Sequence, residues 1–223
     1  MSVLTAVQQA STVIGITVPS VVFSSTERTM VEMQALVNSC ARQILEEYDW
    51  SRLKKIATVT GDGVDTAFPL PADYDRMVKD ANLWGTSFTY YPSQQLADAN
   101  QWLELLSYEI QPWEPRWSLF GGNLNIVPAL GNTLELKFFY ISNWIANGSQ
   151  SEFTNDTDTF TLDERLLRLS IIWNWKKNKG VDYTADLAEY EEALGKATFK
   201  DTGSRQSIIS GRRGYWPTGQ SFP

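Results

Sequence analysis

The chain has 223 residues and contains no histidine. Histidine is the commonest general base near neutral pH and the most frequent protein ligand of zinc, copper and iron. Its absence excludes the usual catalytic triads and most transition-metal centres. No phosphate-binding loop, Rossmann fingerprint or nucleophile elbow occurs either. We therefore expect a non-enzymatic protein that has no catalytic residues, no metal site and no cofactor.

The chain has a single cysteine, Cys40. One cysteine can form neither an intramolecular disulfide nor a cysteine metal cluster. Cys40 falls on the apolar stripe of a predicted helix, and no histidine is present to activate its thiol. We interpret it as a small core residue.

Long apolar runs are also missing. No stretch approaches the roughly 20 apolar residues that a membrane-spanning helix requires. Residues 1–15 lack both the basic start and the continuous apolar run of a signal peptide. With 43% hydrophobic and 20% charged residues, the composition is that of a folded protein. We expect a protein that is made in a cytoplasm and is not exported by that route, without a membrane partner.

The net charge of −7 is unevenly distributed. Residues 201–223 carry three arginines and one aspartate, so they contribute +2 and the remainder carries −9. An acidic body lacks the basic footprint of a sequence-specific DNA-binding protein. A basic tail on an acidic body suggests an arm that docks elsewhere.

Helical patterns occur at the two ends of the chain. Residues 4–14 have helical spacing, and residues 24–27 (SSTE) fit a capping box that opens a longer helix ending near Trp50. A second capping box at residues 161–164 (TLDE) opens a helix with apolar residues on more than one face, which Gly180 ends. A further helix is predicted over residues 184–198, with Leu187, Tyr190, Leu194 and Ala197 facing inward.

The middle of the chain has the pattern of short strands. Residues 56–60 and 66–70 flank Gly61-Asp62-Gly63, which predicts a β-hairpin. Further runs lie at residues 82–84, 88–91, 117–120, 124–127 and 134–141, and residues 94–108 have a weak helical pattern. Gly121-Gly122-Asn123 predicts a tight turn between two of these runs. This region reads as a small antiparallel β-subdomain.

Together these patterns predict an α+β fold: a helical bundle body with an inserted antiparallel β-subdomain and an extended C-terminal arm. The predicted division is residues 1–55 for the N-terminal helices, 56–158 for the β-rich insertion, 159–202 for the C-terminal helix pair and 203–223 for the arm.

Four carboxylate pairs raise the possibility of a glycosidase, which needs two facing carboxyl groups across a cleft. The pairs are Glu46 and Glu47, Asp62 and Asp65, Asp73 and Asp75, and Asp156 and Asp158. Most occupy predicted turns or a helix end, where acids are favoured locally. The residues 156–158 (DTD) resemble part of a calcium loop but lack its twelve-residue frame.

Nine tryptophans allow two interpretations. Tryptophan stacks on sugars and bases, and it is also enriched in cores and subunit interfaces. Trp50, Trp173 and Trp175 fall on predicted helices and fit a core or an interface. Four others fall in the β-region, where both interpretations stay open: Trp84, Trp102, Trp113 and Trp117.

The predicted arm, residues 203–223, is rich in glycine and serine but also carries apolar and basic residues. These residues are Arg205, Ile208, Ile209, Arg212, Arg213, Tyr215, Trp216 and Phe222. Fully extended, the arm reaches about 70 Å. Apolar anchors between arginines suit a segment that becomes ordered on binding a partner, although a disordered terminus has similar features.

Several segments, taken in their order along the chain, resemble the head-to-tail adaptors of short-tailed bacteriophages, which include the tail tubular protein A type and the tail accessory adaptor type. These segments are residues 44–50, 68–77, 115–117, 123–128, 134–141, 162–167, 173–176, 182–183 and 189–191. Together they span most of the chain, from residue 44 to residue 191, and their order carries the resemblance.

The resemblance implies a ring, usually of twelve copies, at the head-tail junction of a virion. The ring would lie between the portal and the tail nozzle or tail tube protein, and the arm would grip the portal. Genomic DNA would pass through the lumen without sequence-specific contacts. Some adaptors of this type are associated with cell-wall hydrolysis, but no catalytic residues for it map onto this chain.

An acidic row falls along one helical face at spacings of four and three: Asp182, Asp186, Glu189 and Glu192. Such a row is ordinarily a solvated face. In a ring it would line the channel and repel DNA phosphates, so that DNA slides instead of binding. Two other functions remain as alternatives: a β-rich carbohydrate- or receptor-binding tail module, and a cell-wall hydrolase.

Overall fold

The computed structural model describes residues 2–85, 93–96, 98–107 and 114–202. Within them the helices are α1 Val3–Ile14, α2 Arg28–Glu47, α3 Ala99–Ser107, α4 Glu164–Asn178 and α5 Thr184–Thr202. The strands are β1 Lys54–Thr60, β2 Ala67–Pro69, β3 Tyr74–Met77, β4 Trp84–Gly85, β5 Gln94–Gln95, β6 Arg116–Phe120, β7 Asn123–Val127 and β8 Glu135–Ser142. The predicted α+β class is confirmed. The predicted arm lies outside the described residues, as do the predicted strand 88–91 and Trp113.

Helix α4 occupies the centre of the helical part and contacts α1, α2 and α5. Its apolar side chains are buried on several sides, as the sequence predicts: Leu166, Leu167, Leu169, Ile171, Ile172, Trp173 and Trp175. Helix α2 contributes the predicted stripe, with Met33, Val37 and Ile44 fully buried. Residues of the connector between β8 and α4, including Phe153 and Phe160, join the same core.

The strands form two four-stranded sheets. In the first, β8 lies between β1 and β3 and also pairs with β4, all antiparallel. In the second, the order is β2-β7-β6-β5, and β5 runs parallel to β6, so this sheet is mixed where a purely antiparallel subdomain is predicted. A separate core of strand residues, including Trp117, Leu136 and Phe138, fills this part of the molecule.

The predicted hairpin around Gly61 is wrong. Strand β1 pairs with β8, from Lys54 opposite Ile141 to Thr60 opposite Glu135, whereas β2 pairs with β7 in the other sheet. Gly61 instead meets the loop before β8: its N–H donates to the Leu134 carbonyl at 2.8 Å, and Thr133 N–H donates to the Gly61 carbonyl at 3.0 Å. By contrast, the tight turn at Gly121 and Gly122 is confirmed, with φ values of 63° and 75° between β6 and β7.

Both predicted capping boxes are wrong by a few residues. Helix α2 begins only at Arg28, because the Asp156 carboxylate accepts hydrogen bonds from Val22 and Phe23 N–H and holds that stretch as a turn. Helix α4 is capped by Asp163, which accepts from Arg165 N–H at 2.9 Å, because the Thr161 hydroxyl donates to the Trp144 carbonyl instead.

Two other helix boundaries differ from the prediction. Within the weak helical pattern over residues 94–108, the described helix is Ala99–Ser107, and Gln94–Gln95 forms strand β5 instead. Helix α5 continues to Thr202, four residues beyond the predicted end. The predicted stop of α4 is confirmed, because Gly180 follows the helix with a φ of 69°.

Candidate interaction surfaces

A buried carboxylate, Asp73, joins three strands of the first sheet. Its side chain accepts hydrogen bonds from Lys55 Nζ at 2.6 Å, Ser142 Oγ at 2.8 Å and Tyr140 OH at 2.9 Å. Lys55 also lies 3.7 Å from the centroid of the Trp144 ring, in cation–π geometry. These contacts fix the end of the sheet that faces the helical core.

The Asp73 network changes the titration of its members. Burial alone raises the pKa of Asp73, but the hydrogen bonds from Lys55, Ser142 and Tyr140 outweigh it and hold the pKa below its ordinary value. Burial, followed by the hydrogen bond to Asp73, raises the pKa of Tyr140 to about 12. Asp73 therefore remains an anion that accepts hydrogen bonds, which is a structural role rather than that of a protonated general acid.

Arg76 connects the same sheet to the end of α2. Its guanidinium donates to the carbonyls of Leu45 and Tyr48 at 3.0 and 3.1 Å, and it pairs with Asp49 at 3.2 Å and with Asp75 at 2.7 Å. A cation that hydrogen-bonds the last carbonyls of a helix stabilises its C-terminus. Asp73 and Asp75 thus belong to two different hydrogen-bond networks, and their carboxyl groups do not face each other as a catalytic pair would.

Carboxylates of two other predicted pairs accept hydrogen bonds from backbone N–H groups. Asp158 is buried and accepts from Thr154 and Asn155 N–H, both at 2.8 Å. Burial raises its pKa, and these bonds lower it further than burial raises it. Asp62 accepts from Val64 and Asp65 N–H, in a turn. Among the residues that the structure describes, no three acidic or cysteine side chains cluster in a way that could hold a metal ion.

The acidic pair at the end of α2 and the single cysteine belong to the helical part. Glu47 accepts from Gln43 Nε2 at 3.3 Å and from Tyr190 OH at 3.4 Å, and Glu46 is exposed. Cys40 is buried in the helical core, as predicted, and burial raises the pKa of its thiol to about 11. A thiol with this pKa is protonated and unreactive at neutral pH.

Most of the tryptophans that the structure describes are core residues. Those with relative exposures of 6% or less are Trp50, Trp102, Trp117, Trp173 and Trp175. Trp144 is partly buried, and Trp84 is the most exposed tryptophan that the structure describes, with 59% exposure. A platform for stacking would therefore be built around Trp84.

Trp84 belongs to an exposed apolar face of the first sheet. Ile56 on β1 and Phe139 on β8 are cross-strand partners, and they are 60% and 51% exposed. Trp84 pairs with Lys137, which points to the same face two residues from Phe139. A cluster of three large exposed apolar side chains on adjacent strands is typical of an interaction surface. We call Ile56, Trp84 and Phe139 the sheet face.

A groove of about 690 Å³ separates α1 and α4 from the last turn of α5. Asp201, on its wall, accepts hydrogen bonds from Ser51 N–H at 2.7 Å and from Ser51 Oγ at 2.5 Å. The end of α5 is thereby held against the residues that precede β1. Helix α5 ends one residue later, at Thr202.

Each carboxylate of the acidic row has a hydrogen-bond or ion-pair partner, and Asp182 lies before α5, which begins at Thr184. Asp182 accepts from Thr184 N–H and its hydroxyl at the start of the helix, and Asp186 pairs with Lys176 of α4 at 2.6 Å. Glu189 lies 3.7 Å from Arg165, and Glu192 pairs with Lys196. Glu189 and Glu192 are more than half exposed, whereas the Asp186 side chain is only 20% exposed. The four carboxylates therefore do not form one uniform surface.

The predicted portal-binding residues all lie in the arm, outside the described residues. Two features were not foreseen from the sequence: the Asp73 network and the sheet face. The alternation of buried Tyr140 and Ser142 on one side of β8 is a signal for the first, since a serine in a buried strand needs a polar partner. Ile56 and Phe139 give no comparable signal, because their pairing depends on which strands are neighbours.

The model of the family described as SU10 adaptor protein matches residues 1–214. No curated protein matches the chain. No helix among the described residues has the length and apolar character that crossing a bilayer requires.

Proposed function

Because the chain belongs to the SU10 adaptor protein family, a phage head-to-tail adaptor family, we propose that it forms a ring between the portal and the tail, through which the genome passes. The match over residues 1–214 is the observation that carries this proposal. Family membership makes the chain a structural component of a phage particle, with portal and tail components as its partners. What we propose beyond family membership is that twelve copies form the ring and that DNA passes through it.

The contact between neighbouring copies uses the sheet face. A closed ring needs a heterologous interface, in which a patch on one copy binds a different patch on the next. Ile56, Phe139 and Trp84 offer exposed apolar area that a neighbour would cover, and Lys54 and Lys137 border it. Their charge suits contact with an acidic neighbour, and the body of this chain is acidic.

The lumen is lined by the exposed part of the acidic row on α5. Glu189 and Glu192 carry this role, because both are more than half exposed. Asp186 contributes less, since it is held against α4 by Lys176. A negative lumen repels phosphates and lets DNA move without sticking.

The arm is the part that grips the portal. Its arginines and aromatic residues favour docking on a partner, and the end of α5 from which it departs is held to Ser51 through Asp201. The division of the remaining chain into a helical body of residues 1–55 and 159–202 and a β-rich insertion of residues 56–158 is part of the proposal, and the core shared by α1, α2, α4 and α5 supports it.

Electron microscopy of the purified chain mixed with its portal tests the proposal. We expect one ring of adaptor density on the tail side of the portal, and loss of this ring when residues 203–223 are deleted. A chain that does not bind the portal but binds glycans would instead support the carbohydrate-binding alternative. A chain that clears a cell-wall gel would support the hydrolase.

A further inference from the structure

The groove between α1, α4 and the last turn of α5 has an apolar floor. Trp50, Phe160 and Leu162 form this floor, and none of them is more than 6% exposed. The small side chains of Ala6 and Ala197 stand on its walls. The volume of about 690 Å³ lies in the range of about 300–1,000 Å³ that is typical of ligand sites. The groove therefore has space for several side chains above an apolar surface.

The walls of the groove carry four basic side chains, those of Arg52, Arg165, Arg168 and Lys200. Arg52 Nη1 donates to the Thr161 carbonyl at 3.3 Å, and Arg168 Nη1 donates to Gln9 Oε1 at 3.0 Å. Both acceptors are neutral, so these bonds orient the two guanidinium groups without neutralising them. An arginine has five N–H donors, and each group therefore keeps donors for a carboxylate.

Three acidic residues also line the groove, and two of them are engaged by the protein itself. Asp163 accepts from Arg165 N–H at 2.9 Å as the cap of α4, and both oxygens of Asp201 accept hydrogen bonds from Ser51. The third, Glu164, lies in the first turn of α4, where the helix dipole favours an acid. Four cations and three anions leave the groove with a charge of +1, whereas the whole chain carries −7. The groove is thus a basic site on an acidic protein.

Hydrogen bonds between its walls hold the groove in shape. The bonds from Ser51 to Asp201 tie the end of α5 to the segment that contains Trp50 and Arg52. The bond from Arg168 to Gln9 joins α4 to α1. A site that is formed before the ligand arrives binds it at a lower cost in conformational entropy.

We propose that this groove binds an acidic segment of another protein, whose carboxylates pair with Arg52 and Arg168 while an adjacent apolar side chain covers the floor. Guanidinium groups bind carboxylates through two parallel hydrogen bonds, and the apolar floor adds a contact that a simple anion lacks. A long nucleic acid fits less well, because the acidic body repels its phosphates. The sheet face lies outside the groove, so the proposal holds whether or not the chain forms a ring.

Fluorescence anisotropy of labelled peptides with the full-length free protein tests this proposal. The probe is a hexapeptide of alternating glutamate and leucine, and its matched peptide has glutamine in place of each glutamate. The groove variants are Arg52→Gln with Arg168→Gln, and Lys200→Glu alone. Arg28→Gln with Arg42→Gln is the control, because it removes two exposed arginines that do not line the groove. Thermal unfolding checks that each variant is folded.

We expect the glutamate peptide to bind the wild type and the control variant saturably and with equal affinity. Its affinity should fall at least roughly tenfold in the double groove variant and roughly threefold or more in Lys200→Glu, because the paired charges are lost or reversed. If the double variant unfolds, Lys200→Glu decides the matter. The glutamine peptide should bind the wild type at least roughly tenfold more weakly.

Three results would each overturn the proposal. The first is the absence of saturable binding of the glutamate peptide to the wild type. The second is equal affinity of this peptide for the groove variants and the control. The third is displacement of the peptide by inorganic phosphate or by a thymidine octanucleotide at the concentration at which unlabelled peptide displaces it, because the groove would then be a site for simple anions or for nucleic acid.

Discussion

Lys55 Nζ lies 2.6 Å from Asp73 Oδ2, and this ion pair ties β1 to the segment that enters β3. Asp73 is almost fully buried, whereas the Lys55 side chain is 35% exposed. The Asp73 carboxylate therefore depends on these hydrogen bonds more than the Lys55 ammonium does, because the ammonium can be solvated by water instead. Removing the Asp73 side chain would leave two buried hydroxyl groups, those of Tyr140 and Ser142, without their hydrogen-bond acceptor.

We expect Asp73→Ala to lower the free energy of unfolding by about 2–3 kcal/mol, since buried donors lose their acceptor. Chemical denaturation followed by tryptophan fluorescence measures this. Asp75→Ala, two residues away, is the matched control: it removes a surface pair with Arg76 and should cost less than about 1 kcal/mol. Equal costs for the two variants would contradict the structural role of Asp73.

Stability should fall at acid pH. The pKa values of Asp73 and Asp158 are lower in the folded state than the ordinary aspartate value of about 4. Their contribution is therefore complete above that ordinary value and is lost as the pH falls through the lower folded values. Denaturation at pH 7 and near pH 3 measures the loss. In Asp73→Ala the loss should be smaller, and an unchanged acid dependence would contradict it.

Gly61→Ala should lower the free energy of unfolding by about 3 kcal/mol. A Cβ atom there would lie 2.5 Å from the Leu130 carbonyl oxygen and 2.6 Å from that of Gly131, so the backbone must move. Gly195→Ala, in the interior of α5 with nothing within 4 Å, should instead stabilise the protein by about 0.5–1 kcal/mol. Thermal or denaturant unfolding of both variants checks the opposite signs.

Substituting the sheet face should weaken the ring and leave the subunit folded. We expect Ile56→Ser with Phe139→Ser to change subunit stability by no more than about 1 kcal/mol and to weaken association on the portal by roughly tenfold or more. Mass photometry of portal mixtures measures occupancy. Val64→Ser, at a position with 77% exposure in a turn, is the control. Normal rings from the double variant would exclude this face as the interface.

Reversing the exposed acids of α5 should slow DNA ejection. Glu189→Lys with Glu192→Lys reverses two charges that are more than half exposed, and we expect ejection to slow by roughly tenfold while assembly is retained. Asp186→Lys is less suitable, because it would break the contact of α5 with Lys176. Glu46→Lys with Asp65→Lys is the charge-matched control. Wild-type ejection from the α5 variant would remove the lumen role.

Local patterns predicted the helices well and the strand partners poorly. The apolar spacing of α2 and the all-round apolar character of α4 are properties of consecutive residues. The partner of β1 is β8, more than seventy residues away in sequence, and the glycine-rich turn after β1 suggested a nearer one. Gly61 is required for close packing against Leu130 and does not form a hairpin turn. The neighbouring sequence does not distinguish these two roles of a glycine.

The capping errors have the same origin. Thr161 and Asp163 are both good helix caps by residue type. Asp163 is the cap in the structure, because the Thr161 hydroxyl donates its hydrogen bond to the Trp144 carbonyl. Asp73 was likewise assigned to a turn, because its partners Tyr140 and Ser142 are 67 and 69 residues away. Polar groups that are satisfied across long sequence distances are the part of this fold that sequence patterns do not reveal.

The bond between Asp201 and Ser51 has a mechanical consequence. A pull applied to the chain beyond Thr202 is transmitted at once to the corner between α2 and β1, instead of peeling α5 from α4 turn by turn. That corner is braced by Trp50, whose indole N–H donates to the Ile44 carbonyl at 2.7 Å, and by Leu53 in the helical core. Tension on the terminal segment is therefore shared between the helices and the first sheet.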